Sequence, residues 1–253
     1  MKNTDNRDLI QEHQPEFIKQ RLQQAPKSQN ISDAVLGGID GCVTTFAVVS
    51  GTVGGGFPTS VAIVLGFANL IADGFSMAIS NYESNKAQQD FIDSVRQAEE
   101  KHIDEIPEGE REEIRQIFYK KGFRREILEI IVETISQDKK LWVDTMLTEE
   151  HGIHKFAPNP WKSASATFIA FIIVGAIPLL PFLVSSIRVP QQFILSAGLA
   201  GAMFFLIGML KSLVFQKPLL FSGLRTLATG SAAAGLAFFT GYLLREVFGL
   251  AGI

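Results

Sequence analysis

The side chains best suited to hold a cation lie in two apolar stretches. Asn69, Asp73, Met77 and Asn81 recur at i, i+4, so in a helix they stack along one face, with Ser76 and Ser80 flanking them. In the preceding stretch Asp33, Gly37, Asp40 and Thr44 line a similar stripe, and Gly37, Gly38 and Gly41 would let another helix approach closely. A carboxylate at the centre of a membrane helix costs roughly 2.5–3.5 kcal/mol on insertion scales, so it faces a partner or a wet pathway. Asp40 sits deepest; Asp33 and Asp73, nearer the ends, could instead reach water. Hard oxygen suits many cations, whereas the thioether of Met77 would bias a shared site towards softer transition metals and away from Mg²⁺ and Ca²⁺. By itself Met77 also reads as packing.

A second group lies in a polar stretch. Glu99 and His102 are three apart, as are Glu110 and Glu113, while Met146 and Glu150 are four apart. On three helices these pairs could converge on a mixed oxygen, nitrogen and sulfur site. The plainer reading is a charged, solvated face, because Glu100, Asp104, Glu105, Glu108, Glu112 and Glu149 lie nearby.

Positioning these groups requires helices of two kinds. The composition, 47% hydrophobic and 19% charged, hides a strong segregation. No charge occurs between Lys162 and Arg188, between Arg188 and Lys211, or between Arg225 and Arg245. Each run approaches or exceeds the roughly 20 residues that cross a hydrocarbon core, and a soluble core helix of that length would carry charge on one face. Spans are expected at about 163–185, 190–211 and 222–246. Two more, at about 33–53 and 58–82, flank the Gly54–Gly55–Gly56 and Pro58 turn.

Between them, 84–156 reads as a helical module. Glu83 to Lys155 holds 18 of the 26 acidic residues against 12 basic ones. Its first helix continues the second span to about Ile106, before a Pro107–Glu108–Gly109 turn, and a second runs to about Lys121, stopped by Gly122. A third buries Ile127, Leu128, Ile130, Ile131 and Ile135, and a fourth runs from about Asp138 to His151. The expected fold is all-α, a polytopic membrane protein of five transmembrane helices with a cytosolic helical insertion between the second and third. Its parts are an N-terminal segment (1–30), spans one and two (31–83), a cytosolic metal-binding domain (84–160) and spans three to five (161–253).

Trp161 and Lys162 suit an interface anchor, and the Lys211, Lys217 and Arg225 loop orients the chain with its N-terminus and module in the cytosol. Leu9, Ile10, Phe17, Ile18 and Leu22 could line a helix on the membrane surface; a plain tail is the alternative. The single cysteine, Cys42, excludes an intrachain disulfide or thiol cluster. No cleavable leader, nucleotide loop or nucleic-acid patch stands out, and a bacterial cytoplasmic membrane is the default location.

Ile39-Asp40-Gly41, the run Ala72-Asp73-Gly74-Phe75-Ser76-Met77 ending in Asn81-Tyr82, the acidic insertion and Trp142-Val143-Asp144-Thr145-Met146 together resemble the vacuolar iron transporter family over about residues 30–250. The resemblance implies a homodimer that exports Fe²⁺, and often Mn²⁺, from the cytosol in exchange for protons, with no prosthetic group. It implies pathway ligands at Asp40 and Met77, and cytosolic metal ligands at Glu99, Glu110, Glu113, Met146 and Glu150. His102 falls where the plant pattern has a further glutamate. Asn69 falls where that pattern has a membrane glutamate, a charge that Asp73 could replace one turn on.

Two other readings stand beside this one. Glu99-x-x-His102 has the spacing of di-iron carboxylate proteins, but no second Glu-x-x-His follows, and His151 and His154 flank the helix end at Gly152. A membrane-anchored scaffold would need no polar stripe. Gly230, Ala234 and Gly235 in the last span offer small-residue support for a dimer.

Overall fold

The computed structural model describes residue 10 and residues 13–23, 28–153, 158–215 and 218–249. Leu9, His154 and Lys217 therefore lie outside the described residues, as does half of the segment 1–30. The described chain is helical, with no strand among the described residues. In order run α1 (Pro15–Gln23), α2 (Ser28–Gly54), α3 (Thr59–Glu105), α4 (Pro107–Lys120), α5 (Arg125–Ser136) and α6 (Lys139–Glu149). Then come α7 (Pro160–Ala176), a 3₁₀ turn (Ile177–Leu183), α8 (Val189–Phe215) and α9 (Leu219–Phe248). Five of these segments are long and apolar enough to cross a bilayer: α2 from Ile31, α3, α7 with its 3₁₀ extension, α8 to Ser212, and α9. The chain is a multi-pass membrane protein.

The spans pack through backbone contact. A Cβ placed on Gly37 would stand 2.3 Å from the Thr167 carbonyl oxygen, and one on Gly41 2.5 Å from that of Phe171. The glycines of α2 thus seat α7. Further along α2, a Cβ on Gly54 would meet the Phe238 carbonyl at 2.3 Å, so α9 lies against the other end of the same helix. Within the bilayer water offers no gain from hiding apolar surface, and close van der Waals approach of this kind carries helix association. Pro181 has no N–H to donate and would clash in a regular α-turn. The third span accordingly tightens to 3₁₀ before it ends. In α9, Gly230 fits against the Phe204 ring and Ala234 is buried in the same core, so both serve packing onto α8 rather than a free dimer face.

α3 is one helix of 47 residues, about 70 Å at 1.5 Å per residue. Its first half is a span and its second half is the spine of the module. The Tyr82 and Trp161 rings meet at 4.8 Å between centroids, an aromatic pair where the helices leave the apolar zone. Beyond it α4, α5 and α6 fold back around a core of Ile103, Ile114, Val132, Ile135, Trp142, Val143, Met146 and Leu147. The expected buried face of α5 needs correcting. Leu128, Val132 and Ile135 are buried, while Ile127 and Ile130 are 61% and 58% exposed. A helix packed on one side buries a single i, i+4, i+7 stripe, and isoleucines outside it stay in water.

Replacing Gly37 with Ala should destabilise the span bundle by at least the about 1–3 kcal/mol typical of overpacking. Gly198→Ala, where nothing lies within 4 Å, should be neutral. Thermal melts of the two variants in detergent check the contrast.

Candidate metal-binding sites

In the module, Pro107 opens α4 directly after α3, so the chain reverses and the first turn of α4 faces the last turn of α3. Glu110 thereby reaches His102, with Oε1 3.5 Å from Nδ1, and His102 stands 4.0 Å from Glu99 Oε1. Three residues past the end of α6, Gly152 adopts the left-handed region (φ 66°), and the Ile153 N–H bonds back to the Leu147 carbonyl at 2.8 Å. That turn holds Glu150 and His151 against α3. His151 Nε2 lies 3.0 Å from Glu99 Oε1 and 3.6 Å from Glu150 Oε2. Two three-residue donor sets result, Glu99–His102–Glu110 and Glu99–Glu150–His151, and either could hold a metal ion.

The electrostatics single these residues out. Many neighbouring acids have cations of their own: Asp104 with Lys139 (2.6 Å), Asp144 with Arg96 (2.9 Å), Glu149 with Lys121 and Glu112 with Arg115. Neither Glu99 nor Glu110 has a Lys or Arg ion pair among the described residues, although their side chains are only 5% and 3% exposed. Each keeps a buried Oε2 without a hydrogen-bond partner. Burial pushes Glu110 up to about 7, helped by the negative charges of Glu113 and Glu99. Burial and Glu113 also raise Glu150 above the ordinary carboxylate range.

Of the residues expected from sequence, Glu99, His102, Glu110 and Glu150 come together. Glu113 is exposed but acts electrostatically on both Glu110 and Glu150. Met146 is fully buried in the apolar core, one turn before Glu150. His151, which closes the expected fourth helix and was weighed only beside His154, was not expected in this donor set; the turn at Gly152 brings it to Glu99 and Glu150.

In the membrane, Asn81 joins three spans. Its amide donates to Asp33 Oδ1 at 3.2 Å and to Thr167 Oγ1 at 2.7 Å, and it accepts from Asn85 at 2.7 Å. Asp33 Oδ2 and Asn69 Nδ2 are buried without partners. From this junction Asp40 lies about 10 Å along α2 and Asp73 about 12 Å back along α3. The two helices run antiparallel, so the two carboxylates come level and within electrostatic range of each other. Asn69, Asp73, Met77 and Asn81 are all half-buried on one face.

The sequence profile of the VIT family matches residues 31–242. A "Vacuolar iron transporter" of Toxoplasma gondii is 32% identical over 232 residues, covering 88% of this chain and 76% of that protein. Proteins of the same printed name from Plasmodium berghei and Centaurea cyanus are 29% and 28% identical. They cover 93% and 83% of this chain, and 90% and 86% of their own lengths.

A carboxyl group raised to about 7 in the fold penalises the folded state once it ionises. The contribution is harmless below pH about 4.5, grows through the interval to about 7 and then levels off. Glu110→Gln should therefore melt above the native protein at pH 8 and alongside it near pH 4.5, in thermal scans with chelator present.

Proposed function

This chain belongs to the VIT family, and we propose that it carries Fe²⁺ or Mn²⁺ out of the cytosol across a membrane in exchange for protons. The observation that carries the proposal is the pairing of uncompensated carboxylates at both ends of one continuous helix. Glu99, on the outer half of α3, and Asp73, on its inner half, are 26 residues or about 39 Å apart. Carboxylates withdrawn from water, largely at Glu99 and in part at Asp73, are costly without counter-charges, and a divalent cation is the partner that would satisfy both.

In this reading the module collects metal ions at Glu99, Glu110 and their neighbours. Ions then pass the Asp33–Asn81 junction to Asp40 and Asp73, with Met77 supplying the soft donor and Asn69 a polar step beyond. Asp40 binds either metal or proton, and competition at one carboxylate is the simplest route to exchange. The positive-inside pattern of Lys211 and Arg225 supports a cytosolic module. The names of the matched relatives, vacuolar iron transporters, support iron as cargo. The chain is a carrier, not an enzyme, so Fe²⁺ addition should drive no oxygen consumption.

In proteoliposomes with an internal pH dye, Fe²⁺ influx should be accompanied by opposing proton movement. Asp40→Asn should lower the flux at least about tenfold, equivalent to about 1.4 kcal/mol. Metal flux indifferent to the proton gradient would remove the exchange step from the proposal.

A further inference from the structure

We propose that His151 is a metal ligand in this module. With Glu99 and Glu150 it forms a second nitrogen-and-oxygen donor set beside Glu99–His102–Glu110, so that two ions share Glu99 and each has its own imidazole. The inference rests on the carrier reading and sharpens it: two imidazoles bias the receptor towards Fe²⁺ and Co²⁺, and against Mn²⁺, further than carboxylates alone would.

Donors about 2.0–2.2 Å from a common ion, at tetrahedral or octahedral angles, stand about 3.0–3.5 Å apart. The pairs here are 3.0 Å (His151–Glu99), 3.6 Å (His151–Glu150), 3.5 Å (His102–Glu110) and 4.0 Å (His102–Glu99). Small side-chain adjustments bring each set to coordination distance. Glu99 is common to both, as a bridging carboxylate must be. The Oε2 atoms of Glu99 and Glu110 are buried and have no donor, an independent sign that each carboxylate awaits a cation. The histidine side chains are 50% and 33% exposed, so each set opens to water on its imidazole side, where an ion can enter and leave. Carboxylate sites suit Mn²⁺, while imidazole favours iron and the later metals. The two sets are alike in makeup although they arise differently: His102 lies one helical turn after Glu99, and His151 is delivered by the Gly152 stop.

A histidine that merely hydrogen-bonds Glu99 would look the same without metal. The test therefore uses His151→Gln, which keeps an N–H donor for Glu99 but removes the nitrogen ligand. Co²⁺ stands in for Fe²⁺ because it resists oxidation and reports its ligands by visible absorption. The full-length protein in detergent is titrated with Co²⁺ and, separately, with Mn²⁺. His151→Gln should weaken Co²⁺ binding about tenfold or more, the floor seen when even supporting groups of a metal site are lost. It should also shift the Co²⁺ spectrum, and change Mn²⁺ binding less than about threefold. Unchanged Co²⁺ binding, or equal weakening of both ions, overturns the histidine assignment and leaves the carrier reading intact. Glu99→Gln combined with Glu110→Gln separates the two levels: if that variant binds both ions as the native protein does, the module is no receptor and the carrier reading of it fails as well.

Discussion

Two carboxylates buried in a small helical module, with histidines but no lysine or arginine beside them among the described residues, set the terms for the rest of the structure. Glu99 and Glu110 belong to different helices, repel each other, and are removed from the water that would stabilise their charge. Something must hold them together against that cost. Here it is the apolar core beneath them, in which Ile103 and Ile114 each lie one turn beyond a buried glutamate on the same helix. Salt bridges at the periphery, Arg96 to Asp144 and Lys139 to Asp104, tie α6 and its approach to α3 and leave the central acids unneutralised. A module that needed only solubility would keep Glu99 and Glu110 on its surface, as it does with Glu100 and Glu108.

The same logic continues into the membrane. α3 passes from one environment to the other without a break, so the module is fixed in direction relative to the spans that share its helix. The glycine seats of α2 for α7 and α9 bring three spans into backbone contact, and Asn81 ties α2, α3 and α7 where they emerge. Asn81 is a donor to both Asp33 and Thr167, so it fixes this junction without cancelling any charge. Asp40 and Asp73 stand beyond it, level with each other on antiparallel helices. On the proposed route a cation would follow these polar groups, whose acids have no Lys or Arg ion pair among the described residues.

Much of this was legible in the residues. Charge-free runs marked the spans because hydrocarbon tolerates few alternatives to an uninterrupted apolar helix. Pro107, Gly122 and Gly152 marked the module's turns, and the i, i+4 ladder from Asn69 to Asn81 marked one face. Partnership was not legible. Glu149 and Glu150 are adjacent and chemically identical, yet one pairs with Lys121 and the other faces His151, because the turn after α6 points them apart. His151 stood at the last position of the expected fourth helix, where the chain turns at Gly152, so helical spacing could not aim it. The buried stripe of α5 was misjudged for a related reason: six apolar residues in nine positions exceed what one packed side can cover. Gly230 and Ala234 looked free until α8 was seen to occupy them.

The central claim is that uncompensated carboxylates in the module and in the membrane are cation sites on one route. Anomalous diffraction from crystals of the full-length protein grown with Co²⁺ tests it most directly. The account predicts peaks between Glu99, His102 and Glu110, between Glu99, Glu150 and His151, and beside Asp40 and Met77. Peaks confined to acids that already have a lysine or arginine, such as Asp104 and Glu112, with none at these positions, would contradict it.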